Sequence, residues 1–263
     1  MNLAFIQSYD VMGSRRWRTC GKLAVSSMVR SVWNGEIRVL RNFEQPLFPT
    51  GRQGLLECVN PAFDHHNRLL GWQREEELGE AIEKAGLKGD EWRRQVAKEA
   101  ARWLLFEEIG GLVAPENYEW VLLMDADCVV LRNLDHLFDR DVDVLVTELG
   151  EPDPGFVGVR GWLIKDLLTE WQSARALRKN WDGGHWQDLR MAIGRRRWRV
   201  GSFERGEVLR ASSAGAGLAD LKDAAVVHFG GLDPKDKQRL AFGFHLMTVY
   251  GDEDGLFLDM LES

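Results

Sequence analysis

Five apolar residues, Trp120 to Met124, run into Asp125-Ala126-Asp127, and a second apolar run, "CVVL", follows at 128–131. The first run has the length and composition of a buried strand. Its abrupt end in two carboxylates is costly, because neighbouring anions repel and lose hydration. A divalent cation bound to both offsets that cost. In an extended backbone, residues one apart point the same way, so Asp125 and Asp127 can reach one hard cation, Mn2+ or Mg2+, directly or through water. At the carboxyl end of a parallel strand they would face the crevice where open α/β sheets bind ligands. Isolated Asp-x-Asp triplets are common by chance, and turn carboxylates capping the next segment are the alternative. The hydrophobic lead-in is what gives this pair a place.

The rest of the chain supplies an α/β pattern. "NLAFIQSY" (2–9) reads as a buried strand. "CGKLAVSSMVRSVW" (20–33) follows at helical spacing, ended by Asn34-Gly35, and "EIRVL" (36–40) is a second strand. Such a strand–helix–strand opening is typical of a parallel sheet. Residues 42–90 read as a loop and one solvated helix. "DEWRRQVAKEAARWLLFEEIGG" (90–111) is a strong helix, capped by Asp90 and stopped by Gly110-Gly111. Further strands are expected at 120–124, at 142–149, at the start of 155–174 before a helix, and at "AAVVHFGG" (224–231). No internal repeat or linker divides the 263 residues, so one mixed α/β domain is expected.

With those residues in view, "YEWVLLMDADCVVLRNLDHLF" (118–138) resembles the DxD segment of GT-A-fold, nucleotide-sugar-dependent glycosyltransferases. It is most similar to the retaining groups of family 8 and family 34 type. The shared features are Tyr118, "WVLLM", Asp125, Asp127, "VVL", Asn133, Asp135, Leu137 and Phe138. The resemblance implies a single GT-A-type, Rossmann-like α/β domain with a mostly parallel mixed central sheet flanked by helices. Residues 1–140 would form the nucleotide-binding half with the DxD. Residues 141–263 would form the acceptor-side half with a closing histidine motif.

Four further pieces stand in the order the resemblance requires. "VVHFGG" (226–231) supplies His228 as third metal ligand, with Gly230 and Gly231 at the diphosphate; the phosphate-binding lysine is displaced, Pro234 occupying its place and Lys235 following. On the helix before the DxD strand, Arg94, Lys98 and Arg102 are four apart and share a face. Lys98 and Arg102 are the donor-binding candidates, with pairing to glutamates of the same helix as the alternative for Lys98. Asp153, in "DPGF", stands where the family usually has Asn beside the donor sugar, and an Asp there can accept hydroxyl hydrogen bonds. Near the reacting carbon the family has an Asp-Gln pair. "HWQDLRMAIG" (185–194) offers Gln187 and Asp188 in reverse order, so one register pairs Asp188 and Leu189 with that motif and the other Trp186 and Gln187. Tyr9 is placed to stack on a uracil, or to fill the core.

The implied activity is transfer of a hexose from a nucleotide-diphosphate sugar, UDP-hexose first, to an unknown acceptor with retention at the anomeric carbon. Mn2+ or Mg2+ would sit on Asp125, Asp127 and His228. A net charge of −7 argues against a general nucleic-acid or membrane-surface binder, although basic residues cluster at 13–22 and 194–200. Cys20, Cys58 and Cys128 lack metal-ligand spacing, and an odd count suits a reducing compartment. With no apolar run of membrane-spanning length and no signal-peptide pattern, a cytoplasmic protein is expected. Two other classes account for part of the sequence. A haloacid-dehalogenase-type Mg-dependent phosphatase would use Asp125 as nucleophile and Asp127 as acid/base, with Thr147 downstream. A transferase scaffold that only binds nucleotide sugar would account for the departures at Asp153 and at Trp186–Leu189.

Overall fold

The computed structural model describes residues 1–8, 15–31, 33, 35–41, 55–58, 106, 109–111, 114, 117–177, 185–204, 206–210 and 224–230. Tyr9, Lys98, Arg102, Gly231 and Lys235 lie outside them, as does most of 42–105.

The apolar runs form a seven-stranded sheet. Its strands are β1 (Asn2–Ser8), β2 (Gly35–Arg41), β3 (Leu55–Cys58), β4 (Trp120–Asp125), β6 (Val144–Val146), β7 (Phe156–Arg160) and β8 (Val200–Ser202), in the order β3-β2-β1-β4-β7-β6-β8. The pairs β3·β2, β2·β1, β1·β4 and β6·β8 are parallel, whereas β7 runs antiparallel to both its neighbours. The expected mostly parallel mixed sheet is therefore present. A second sheet, β5-β10-β9, joins β5 (Cys128–Val130), β10 (Val226–His228) and β9 (Val208–Arg210).

Helices cover the large sheet. α1 (Arg15–Arg30) connects β1 to β2, α2 (Ile164–Ala176) follows β7, and α3 (His185–Gly194) precedes β8. Strands β1 and β4 alternate between two cores, as buried strands must. Leu3, Phe5, Val121 and Leu123 face a cluster with Leu167, Trp171, Leu189 and Ile193 of α2 and α3. Ala4, Ile6, Trp120, Leu122 and Met124 face the other, with Ala24, Val25 and Met28 of α1.

Several boundaries differ from the sequence reading. α1 begins at Arg15, five residues before Cys20, and ends at Arg30. Gly35 opens β2 rather than merely ending a helix; a Cβ there would sit 2.6 Å from Trp33 Nε1. β3 lies inside the stretch read as loop and solvated helix, because four residues at a sheet edge carry too little periodicity to register. The expected strand over 142–149 is only Val144–Val146, since Asp143 is committed to Arg199 of the β8 approach: its carboxylate takes the Arg199 N–H at 2.8 Å.

The Asn133 to Phe138 part of the recognised segment is explained by packing. Asn133 Oδ1 accepts the Asp135 N–H at 2.7 Å, which starts a single 3-10 turn, Asp135–Phe138. That turn drives Leu137 and Phe138 into the core, where Phe138 packs against Trp33 and Trp120 at centroid distances of 5.6 and 5.5 Å. Arg160, at the end of β7, lies 4.1 Å over the Trp120 ring and donates to the Val142 and Arg140 carbonyls. It ties β7 to the loop before β6.

The helical layer should be sensitive to its largest buried ring. Trp171 of α2 is 1% exposed and packs against Phe106 at 4.8 Å between centroids. Trp171→Ala is expected to cost about 3–5 kcal/mol, read as a lower urea midpoint with an unchanged slope.

Candidate active site

Three chain segments meet at the carboxyl end of β4, and backbone bonds bring them there. Met124 pairs with Phe156 across β4·β7, and the Asp125 N–H continues that ladder onto the Gly155 carbonyl at 2.8 Å. Cys128 pairs with His228 across β5·β10, and the Phe229 N–H reaches the Asp127 carbonyl at 3.0 Å. α1 anchors β5 from behind: buried Ser27 accepts the Val130 N–H at 3.0 Å and donates to the Ala24 carbonyl at 2.8 Å.

The side chains carried to this point are Asp125, Asp127, Asp153 and His228. Nε2 of His228 lies 3.2 Å from Asp127 Oδ1 and 4.0 Å from Asp125 Oδ2. Asp125 is partly open, while Asp127 and His228 are each 4% exposed. The route to this convergence differs from the alternation expected of an extended backbone. β4 ends at Asp125 and the chain turns at Ala126-Asp127, with the Ala126 N–H bonded to the Gln7 carbonyl at 3.1 Å. The turn, and not a continued strand, aims Asp127 at the imidazole.

Asp153, expected beside the donor sugar, has its carboxylate engaged within the protein. Its two oxygens are turned inward: Oδ1 accepts the Gly155 N–H at 2.9 Å, and Oδ2 takes a hydrogen bond from His228 Nδ1. Its own N–H is bonded to Thr147 Oγ1 at 2.7 Å. A carboxylate that is 4% exposed and so engaged is poorly placed to receive sugar hydroxyls. No local sequence signal announces this pairing, since the partners are 75 residues apart.

Electrostatics follow from the geometry. Burial alone would lower the His228 pKa, but the carboxylates of Asp153 and Asp127 outweigh it and raise it to about 10. Burial would likewise raise Asp153, yet His228 and the Gly155 N–H hold its carboxyl below the ordinary value. Burial, then the charges of Asp127, Asp125 and Asp153, pushes the Cys128 thiol well up. Cys128 Sγ lies close enough to Asp127 and His228 to count geometrically as a ligand. It faces the apolar cluster, however, and its thiol donates to the Gly155 carbonyl at 3.5 Å. A hard cation favours the oxygens and the imidazole.

The ligand atoms that lie within 4.8 Å of one another are those of Asp127, Cys128 and His228; Asp125 stands outside that group, so an ion held by both aspartates needs the Asp125 side chain to turn inward. Bonds of about 2.1 Å place adjacent octahedral ligands roughly 3 Å apart and opposite ones roughly 4 Å apart, which brackets the two Nε2 to oxygen distances. Two glycines pack against the Cε1–Nε2 edge of the imidazole. A Cβ on Gly155 would lie 2.8 Å from Nε2 and 2.9 Å from Asp125 Oδ2, and one on Gly230 would lie 3.0 Å from Nε2.

The residues of the two registers of the helix motif differ in exposure. On α3, Asp188 and Leu189 are buried, Gln187 is exposed and Trp186 is partly so. Asp188 and Leu189 therefore face the protein, while Gln187 faces solvent. In the second basic cluster, Arg195 and Arg196 pair with Glu170 and Arg199 with Asp141 and Asp143. These contacts fasten α3 and β8 to the domain. Among the described residues, no helix is long and apolar enough to cross a membrane.

No protein-family model matches the sequence, and no curated protein does. Solved structures do match the fold. A glycosyltransferase involved in glycosylation of the major capsid of PBCV-1 aligns at TM-score 0.54 and 11% identity, over 92% of this chain and 99% of that one. The bifunctional glycosyltransferase WbbM aligns at TM-score 0.54 and 11% identity, over 99% of this chain and 51% of its own. GlyE of Streptococcus pneumoniae TIGR4 aligns at TM-score 0.53 and 13% identity, over 98% and 63%. The chain thus spans about half the length of WbbM and under two thirds of GlyE. The fold is the GT-A fold of glycosyltransferases.

The raised His228 pKa has a consequence for the cation-free protein. A group whose pKa is higher in the folded state contributes stability below its unfolded value, and that contribution is lost as pH rises through the folded value. In EDTA, the melting temperature should therefore fall between about pH 7 and pH 10. His228→Gln should flatten that slope, as read by thermal melts across the pH series.

Proposed function

We propose that this chain is a divalent-cation-dependent glycosyltransferase that moves a hexose from a nucleotide-diphosphate sugar, a UDP-hexose first, to a glycan or other hydroxyl acceptor. The observation that carries the reading is the convergence of His228 Nε2 on Asp125 and Asp127 at the ligand-binding edge of a GT-A sheet. The sequence resemblance supports retention of anomeric configuration. The phosphatase alternative gives His228 no part in its chemistry. Its Thr147 is occupied with the Asp153 backbone.

Asp125, Asp127 and His228 would hold Mn2+ or Mg2+, which neutralises charge on a diphosphate leaving group when bound. The protein's share of the work is to fix those three ligands before the donor arrives, so that no reorganisation is needed as charge develops. Gly155 and Gly230 leave room beside them. Gly231 and Lys235 belong to the same proposal on the diphosphate side, Lys98 and Arg102 on the donor side and Tyr9 at the base. Of the pair assigned near the reacting carbon, Asp188 comes first on the resemblance alone, since it is fully buried in this structure, and Gln187, which is exposed, is the other. A cytoplasmic location and the division into halves at residue 140 are part of the same reading.

The test is a panel of UDP- and GDP-sugars with Mn2+, scored by nucleotide release with and without a mixture of acceptor sugars. Release from one UDP-hexose, lost in EDTA and restored by Mn2+, is expected. Full activity in EDTA would remove the cation from the reading. Hydrolysis of p-nitrophenyl phosphate without any nucleotide sugar would replace it with the phosphatase. UDP affinity without turnover would leave a binding module.

Asp127→Ala should reduce turnover by at least about 100-fold while leaving the circular dichroism spectrum unchanged, because its backbone bond to Phe229 survives the substitution.

A further inference from the structure

We infer that Asp153 is a positioning residue that fixes the tautomer and ring plane of His228, so that Nε2 is the atom presented to a divalent cation; this rests on the cation reading of the same site. A carboxylate only accepts hydrogen bonds. With Asp153 Oδ2 on Nδ1, the neutral ring carries its proton on Nδ1 and its lone pair on Nε2, toward Asp127 and Asp125. The reverse tautomer would set a lone pair against a buried carboxylate and a proton against the cation.

Asp153 can impose this because it is itself held. The Thr147 hydroxyl oxygen accepts its N–H, and the Gly155 N–H donates to its other carboxylate oxygen. Gly155 in turn is bonded through its carbonyl to Asp125, the first of the two aspartates. One short turn therefore sets an aspartate ligand by its backbone and the histidine ligand by a side chain.

Asparagine, the residue usual at this place in the resembling family, could not do both. Its single carbonyl oxygen would serve either the Gly155 N–H or the His228 Nδ1–H, and its amide would present a donor to the other. Satisfying Gly155 makes Nδ1 an acceptor and moves the imidazole proton to Nε2. The departure from the family at 153 therefore exchanges a hydroxyl contact for control of the histidine.

The experiment is a Mn2+ titration followed by the free-ion electron paramagnetic resonance signal, alone and with UDP at fixed concentration. It compares wild type, Asp153→Asn, His228→Gln and the double variant. Wild type should bind, Asp153→Asn should bind about 10- to 100-fold more weakly, and the double variant no more weakly than His228→Gln alone. That non-additivity marks action through the imidazole; independent losses that add would overturn the inference. Asp153→Asn binding like wild type would overturn it as well, leaving the cation site intact. Absence of Mn2+ binding to wild type would instead remove the cation reading, and this inference with it. Should Asp153→Asn not fold, nitrogen-15 spectra of histidine-labelled wild type with Mg2+ decide the matter. A proton on Nδ1 of His228 is expected, and one on Nε2 overturns the assignment.

Discussion

The site depends on one backbone register, Cys128 opposite His228 across β5·β10. It brings a histidine from the far end of the chain to the residue after Asp127, a hundred positions earlier in sequence, without needing the side chains to attract one another. The register is set by burial on both strands and by the Ser27 bond that holds the end of β5. A slip of one residue would turn His228 to the opposite face. Asp125 is fixed by a separate ladder, β4·β7, whose last step is the Gly155 carbonyl. Two independent pairings thus place like charges side by side. The main-chain bonds of both sheets, with the packing beneath them, offset a local repulsion that the carboxylates by themselves would relieve by moving apart.

What could be read from the sequence tracks how local each determinant is. The strand before Asp125 is a run of apolar residues, and β1, α1 and β2 carry period and length enough to be seen. β8 and β9 have three residues each, no periodicity, and stability borrowed from Arg199 and from β10. The start of α1 at Arg15 follows a favoured N-cap type, Ser14, but its first turn carries no acidic residue and so reads as a basic loop. At the site, the residue types Asp125, Asp127 and His228 were legible as a pattern, but the bend that aims Asp127 was not. It depends on Gln7 of β1 receiving the Ala126 N–H, a contact across the sheet. Asp153 shows the same limit. Its identity was noticed because it departed from a pattern, while its partner is fixed by β10, a strand whose register no nearby residue encodes.

The remaining question is what balances the charge. Three carboxylates lie around one imidazole, and two of them, Asp127 and Asp153, are almost fully enclosed. Burial opposes the charged ring, but the carboxylates of Asp153 and Asp127 raise the His228 pKa to about 10, so without a cation each ring nitrogen keeps its proton at neutral pH. That imidazolium satisfies Asp153 through Nδ1 and Asp127 through Nε2, yet it leaves the cluster net negative. A divalent ion displacing only the Nε2 proton would keep the Asp153 bond, take both aspartates and add one further positive charge. The two nitrogens therefore have unequal tasks. One is locked to a carboxylate that is itself locked to Gly155 and Thr147, and the other faces the partly open Asp125 beside two glycines. On the Nε2 side the Asp125 carboxylate keeps part of its surface exposed, as an exchangeable charge requires.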